Sequence, residues 1–185
     1  MNALSVRELS ADFIPHIVSY WVKSSDDHLL AMGADPKKVP SQDQFSEALN
    51  AQLETPYEGK QSYALIWFAD GEPIGHSNVN KIQFGKEAFM HLHLWESKTR
   101  ASGRGRQLVI RSLPFFFENL QLERLFCEPY AKNEAPNRTL ASVGFSFEKE
   151  YTTIPGSINF EQPVKRWGLH REQYQKLGYQ HPSAS

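Results

Sequence analysis

The sequence predicts an α+β fold, an α/β sandwich in which helices flank a mixed, mostly antiparallel central sheet. Three observations point there. The runs Ser62 to Ala69, Ile74 to Ile82 and Ala88 to Trp95 are strand-like and follow one another through tight turns, the pattern of an antiparallel meander. The last run passes through a polar turn, Glu96 to Thr99, and a glycine-containing loop into a segment with apolar residues at helical spacing. Strand-like and helix-like stretches then alternate toward the C-terminal end, which makes about seven strands in all.

Taken in order, Leu4 to Leu9 alternates as a first strand. Asp12 is placed to cap a helix that brings Phe13, Ile17 and Tyr20 or Trp21 to one side, with Pro15 tolerated in its first turn and an end near Ser24. Ser25 to Pro40 reads as a loop or broken helix that mixes acids with apolar residues, and it could wall a substrate pocket. Ser41 and Gln44 form a capping-box pattern for a helix reaching Leu53, striped by Phe45, Leu49 and Leu53. Thr55 to Lys60, with Pro56 and Gly59, ends it. Asp70-Gly71 suits the first hairpin of the meander, and Gly85-Lys86-Glu87 turns into its third strand. After the glycine loop, Leu108, Val109, Leu113, Phe116, Phe117 and Leu120 make an apolar face. Pro114 should bend that helix and look out to solvent. Leu122 to Glu128 is a buried strand. Pro136 and Gly144 bracket a further helix. Phe145 to Ile154 and Val164 to Leu169 are the last strands, joined by 155–163. Residues 1–174 read as one domain, and 175–185, rich in Gly, Pro, Ser and Gln, as a frayed tail.

Composition excludes several classes. Of the 185 residues 40% are hydrophobic and 22% charged, which is ordinary for a water-soluble globular chain, and the net charge of −1 argues against general nucleic-acid or membrane-surface binding. The lone Cys127 has no internal partner, and there is no Cys-x-x-Cys pair. No cationic segment leads into an apolar one at the N-terminus, and no apolar run approaches the ~20 residues that span a bilayer. The expectation is a cytoplasmic protein with neither nucleic acid nor membrane among its partners.

The chemistry concentrates where the third meander strand meets the following helix, at Arg100-Ala101-Ser102-Gly103-Arg104-Gly105-Arg106. Strand, glycine loop and helix start gather main-chain N–H groups and the positive helix end around one point, which favours an anion such as a phosphate or pyrophosphate. Gly103 and Gly105 allow close approach or positive φ, and Arg100, Arg104 and Arg106 bring guanidinium groups. The run lacks the third glycine of a dinucleotide fingerprint and the Gly-Lys-Ser/Thr of a P-loop. By itself it is as compatible with a plain turn as with an anion site.

Arg100 to Gly105 resembles the Arg/Gln-x-x-Gly-x-Gly/Ala loop of the GNAT superfamily of acyl-CoA-dependent N-acyltransferases. Asn133-Glu-Ala-Pro-Asn137-Arg-Thr-Leu-Ala-Ser-Val-Gly144-Phe145 resembles the Asn-x-x-Ser-x-x-x-Leu-x-x-x-Gly-Phe block of the same family. Total length and the strand Val164 to Leu169 point to the RimJ/RimL-like branch. The resemblance implies a GNAT-like acyltransferase domain whose sheet splays after the fourth strand. It also implies acetyl-CoA as co-substrate without a metal, an amine acceptor, direct acetyl transfer without an acyl-enzyme, and the homodimer common in the family. The cofactor would meet Arg100, Ala101, Ser102, Gly103, Arg104, Gly105 and Arg106 at its pyrophosphate. Asn133, and secondarily Asn137, would serve the pantetheine arm. The backbone of His93, Leu94 and Trp95, at a bulge, would serve the thioester.

Proton handling is less determined. His91 and His93 share one strand face, with Glu96 at its end and His76 on the neighbouring strand as a further member; His91, His93 and Glu96 are the catalytic candidates. The same two histidines are equally read as polar residues of a half-buried sheet, and as zinc ligands they lack a third partner. Two departures bear on mechanism. Leu140 stands where many relatives carry a tyrosine that protonates the thiolate, and Pro136 where the RimL-like branch often has serine. They keep open a second reading, a catalytically weak acyl-CoA-binding module. For the acceptor, Asp26, Asp27 and Asp35 read equally as attractors of a cation or as solvated loop acids, and Trp21, Tyr57 or Trp67 as an aromatic wall or as core residues.

Overall fold

The computed structural model describes residues 3–95 and 103–179. Seven strands form one sheet in the order β1-β2-β3-β4-β5-β7-β6. They are β1 (Leu4–Glu8), β2 (Tyr63–Ala69), β3 (Glu72–Gln83), β4 (Glu87–Leu94), β5 (Arg124–Cys127), β6 (Ser146–Thr153) and β7 (Gln162–His170). Only the β4–β5 pair is parallel. The helices are α1 (Ile14–Val22), α2 (Asp26–Ala31), α3 (Gln42–Glu54), α4 (Arg104–Pro114), α5 (Glu134–Val143) and α6 (Arg171–Leu177).

Alternation along the strands divides the core into two layers. Tyr63, Leu65, Trp67, Val79, Ala88 and Met90 face α4, α5 and α6. Ala64, Ile66 and Phe68 face α1 and α2, with Phe45 and Leu49 of α3 at the edge. This explains why β2 reads as an unbroken apolar run: it is buried on both faces along its whole length. Each fully buried Leu, Ile or Phe side chain contributes about 1.5–3 kcal/mol relative to exposure. The α4 layer also holds a small polar knot, in which Trp67 Nε1 donates to Ser112 Oγ at 2.9 Å while Ser112 Oγ donates to the Leu108 carbonyl at 2.8 Å.

Local signals acted largely as their chemistry requires. Ser41 and Gln44 make the reciprocal capping box of α3. Asp70 and Gly71 both adopt positive φ, 52° and 85°, as a two-residue hairpin turn matching the strand twist demands. Gly144 closes α5 in the left-handed region. Asp12 does not cap α1; it lies inside a 3-10 turn, Ala11–Phe13, that leads into the helix. The segment after α1 is a broken helix, α2 followed by a second 3-10 turn at Pro36–Lys38.

Two expectations are corrected. Pro114 is buried rather than turned to solvent, and the chain continues from it into a π turn, Phe115–Asn119. Proline lacks an N–H and crowds the preceding turn, and a widened turn accommodates both defects. Phe115, Phe116 and Phe117 are consequently all buried, and Phe117 stacks on Tyr174 of α6 with ring centroids 4.4 Å apart. Packing also extends beyond Gln175. The α6 helix runs to Leu177, and the Tyr179 hydroxyl donates to the Val143 carbonyl at 3.1 Å. The polar composition of this stretch hid its docking, because the aromatic residue that anchors α6, Tyr174, lies just before it.

Candidate active site

The β4–β5 ladder runs from Glu87↔Arg124 to Met90↔Cys127 and ends there, while β4 continues against β3 to Leu94. The sheet therefore opens between its fourth and fifth strands from Met90 onward. No bulge in β4 causes this, for the β3–β4 register is unbroken from Gly75↔Leu94 to Asn80↔Phe89. The opening arises because β5 is only four residues long. The Trp95 N–H is bonded to the Ile74 carbonyl at 3.0 Å, so strand alternation turns His93 and Trp95 toward β3 and the main chain of Leu92 and Leu94 toward the opening. Of His93, Leu94 and Trp95, only Leu94 has its backbone on the expected edge.

The α4 helix begins beside the end of β4. Gly103 is its N-cap at φ 69°, with no side-chain cap, and a Cβ on Gly105 would sit 3.9 Å from Leu94 Cδ1. The first N–H groups of a helix have no intrahelical acceptor and carry the positive dipole end, so this turn offers donors to an anion next to the opening. Arg104, Gly105 and Arg106 form that turn. Arg106 Nε donates to the Ser142 carbonyl at 3.0 Å, tying α4 to α5. Glu96, Arg100, Ala101 and Ser102 lie outside the described residues.

Across the opening, Asn133 is the N-cap residue of α5 and makes no side-chain cap bond, and it lines a cavity of about 580 Å³ together with the β4 strand. Asn137 behaves otherwise. Its Oδ1 accepts from Trp167 Nε1 at 2.8 Å and its Nδ2 donates to the Asn133 carbonyl at 2.7 Å, so its amide holds α5 onto β7 and fixes the turn carrying Asn133. Leu140 is fully buried in the core.

The cavity lies on the α1 and α3 side of the sheet, under the 155–160 stretch joining β6 to β7. That stretch is clasped to the segment after α2: Asp35 N–H donates to the Ile158 carbonyl, and Asn159 Nδ2 and Gln162 Nε2 donate to the Gly33 carbonyl at 2.8 and 2.7 Å. Gly33 has φ 82°, and a Cβ there would fall 2.1 Å from Gln162 Oε1. Of the three acids considered for the acceptor, Asp35 accepts from the Lys37 N–H, Asp26 and Asp27 are exposed in the first turn of α2, and none lines the cavity. Trp21 does line it. Trp67 belongs to the opposite core layer, and Tyr57 packs near β1.

On the cavity floor, His76 and His93 are cross-strand partners with rings stacked 4.7 Å apart, and Trp21 meets His93 edge-on at 4.8 Å. Trp95 Nε1 donates to His76 Nδ1 at 2.8 Å. Burial lowers the His76 pKa to about 3 and that of His91 to about 4, so both are neutral near pH 7. Beside the opening, Glu128 pairs with Arg166 at 2.6 Å and accepts from the Tyr151 hydroxyl. Burial pushes the Cys127 thiol up, which leaves it inert as a nucleophile. The sequence reading missed Asn78, Asn80 and Tyr130, which line the same cavity. The signal for the two asparagines was alternation: Asn78 and Asn80 follow His76 at period two on β3.

A family model described as an acetyltransferase (GNAT) domain matches residues 4–146. The chain belongs to the GNAT acetyltransferase family. Solved structures similar to this acetyltransferase include RimL, a ribosomal L7/L12 α-N-protein acetyltransferase in complex with coenzyme A, at a TM-score of 0.72 and 16% identity over 90% of this chain and 93% of that one. A spermidine N-acetyltransferase from Vibrio cholerae in complex with CoA and spermine gives 0.75 and 19% over 93% and 98%. An uncharacterized Bacillus halodurans protein gives 0.69 and 14% over 95% and 88%. At these identities the likeness is one of fold. No curated protein matches this acetyltransferase. No described helix is long and apolar enough to cross a membrane.

Proposed function

We propose that this GNAT acetyltransferase moves an acetyl group from acetyl-CoA to a primary amine by direct transfer. The observation that carries the reading is the coincidence of the β4–β5 opening with the N-terminal turn of α4 at one end of the sheet. The diphosphate would rest on the α4 N-terminus with Gly103, Arg104 and Gly105, the pantetheine would run along the β4 edge past Met90 toward Asn133, and the amine would arrive from the cavity. Transfer breaks the C–S bond, forms the C–N bond, and moves one proton from the attacking nitrogen to the departing thiolate. A main-chain donor aimed at the developing oxyanion is worth about 3 kcal/mol in such chemistry.

Cys127 is buried on β5 with a raised pKa, which favours attack by the amine on the thioester itself over an acyl-enzyme route. One observation favours the second reading, an acyl-CoA-binding module with little turnover: Leu140 puts a core side chain where relatives carry a phenol. Isothermal titration with acetyl-CoA tests the first step, and no binding at millimolar ligand refutes both readings. Free-thiol release across a panel of amines separates them, since measurable turnover on any acceptor removes the second.

A further inference from the structure

The cavity reaches into the sheet opening from both faces, for its lining takes Met90, Leu92 and Cys127 from the α4 layer and His76 and His91 from the other. The opening follows β4 from Leu94, beside the α4 turn, to Met90, whose pairing with Cys127 closes it. That stretch of four residues extends about 13 Å. A pantetheine arm has about twelve bonds from diphosphate to sulfur, as many as about four residues of extended main chain. With the diphosphate on the α4 turn, the sulfur and its thioester come to the closed end, at Met90 and Cys127.

Glu128 follows Cys127, and strand alternation turns its side chain to the acceptor face. Among the described residues lining the cavity it is the only Asp, Glu, Lys or Arg. Its carboxylate is used unevenly. Oε1 accepts from Arg166 Nε at 2.6 Å and from the Tyr151 hydroxyl, which in turn accepts from Arg166 Nη2 at 2.8 Å. The guanidinium is itself fixed over the rings of Phe89, Phe126 and Tyr151, 5.1 to 5.3 Å from their centroids. Oε2 accepts from no described residue, and it is not among the partnerless buried atoms that are closed to solvent. The 3% of this side chain that stays exposed therefore leaves one carboxylate oxygen open at the cavity. A buried carboxylate with a free oxygen calls for a donor.

We propose, on the acyl-transfer reading above, that Glu128 is a catalytic residue, the base that receives the acceptor's ammonium at Oε2, with Arg166 and Tyr151 as positioning residues on Oε1. The histidines of the floor suit the task less. His76 Nδ1 already accepts from Trp95 Nε1, so its one proton sits on Nε2 and no lone pair is left. His91 Nε2 is closed to solvent, and His93 is held between His76 and Trp21. An ammonium carries three protons and the product amide keeps one. Glu128 takes the first, which frees the nitrogen electron pair for the carbonyl carbon, and releases it to solvent through the cavity. The second passes to the departing thiolate as the C–N bond forms and the C–S bond breaks.

Two acceptors test this on the full chain by thiol release from acetyl-CoA: butylamine, an ammonium at neutral pH, and methoxyamine, which is uncharged there and has no first proton to lose. Glu128→Gln should lower kcat for butylamine about a hundredfold and leave methoxyamine within about threefold. A merely structural role would lower both alike. Because Glu128→Gln strands the Arg166 charge, the double variant with Arg166→Gln, which leaves no ion unpaired, should show the same selective loss. In tryptophan fluorescence, with Trp21 in the cavity wall as reporter, butylamine should bind about tenfold tighter than 1-butanol, and Glu128→Gln should erase the difference. Equal losses for the two acceptors in the double variant, an unchanged kcat for butylamine, or equal binding of butylamine and 1-butanol overturns the assignment. Calorimetry with acetyl-CoA separates the two failures: tight binding with no selective loss removes Glu128 alone, whereas no binding removes the acyl-transfer reading and the base with it.

Discussion

Acidification should destabilise this protein well above the pH at which carboxylates titrate, and His76 should account for about half of the effect. His76 is 2% exposed, accepts from Trp95 Nε1 through Nδ1, and has its pKa lowered to about 3 by burial, with the nearby His91 adding to the shift. The unfolded chain, with a histidine pKa of about 6.5, binds protons that the folded state refuses. Stability is therefore complete above pH 6.5 and lost as the pH falls toward the folded value. At about 1.4 kcal/mol per unit, His76 costs about 2 kcal/mol between pH 6.5 and 5, and His91, lowered to about 4, costs a similar amount. Against a total of about 5–15 kcal/mol for a typical domain, the combined loss of about 4 kcal/mol should be plain in urea midpoints at pH 7 and pH 5. His76→Asn keeps an acceptor for Trp95 but cannot titrate, so its loss over the same interval should be about 2 kcal/mol smaller. A wild-type midpoint unchanged over this range, or equal losses in wild type and variant, would refute the reasoning.

The remaining predictions concern single positions. Gly103→Val places a β-branched residue at φ 69° on the α4 N-cap, which costs about 1–3 kcal/mol of backbone strain and should weaken acetyl-CoA in calorimetry at least tenfold while the circular-dichroism spectrum stays native. Gly33→Ala combines φ 82° with a 2.1 Å collision at Gln162 Oε1; it should lower the melting temperature, and the double variant with Gln162→Ala should recover the part due to collision but not the part due to φ. Ser112→Ala leaves Trp67 Nε1 buried without its acceptor and should cost about 1–3 kcal/mol in urea unfolding, more than the same change at exposed Ser142. Asn137→Leu should weaken acetyl-CoA only as far as it destabilises α5, because its amide is bonded to Trp167 and Asn133; a large loss of affinity at unchanged stability would return it to the cofactor site.

Much of the fold was legible because local signals and packing agreed. The capping box at Ser41, the Asp70-Gly71 hairpin and the alternation of β4 each specify one geometry through chemistry within a few residues. Pro114 was misplaced because the chain runs from it into a π turn that no local pattern announces, and that turn buries Phe115, Phe116 and Phe117, the last of them against Tyr174 of α6 more than fifty residues away. At the site, the glycine-to-helix junction and the His91/His93 face could be read directly, since one is a backbone motif and the other a period of two. Which backbone edge faces the opening could not, because that depends on where β5 stops. Nor could the commitment of Asn137 to Trp167, a contact thirty residues long in sequence.

The clasp between Gly33 and the Asn159–Gln162 stretch joins parts of the chain separated by more than 120 residues. The chamber it roofs thus borrows its ceiling from two loops, whereas the α4 turn and the β4 edge are built into the sheet itself. Exchanging those loops would retarget such a catalyst to a new customer while its fuel line stayed as it was. A chain caught part-way through folding, lacking its last hairpin, would have the latter without any room to receive the former.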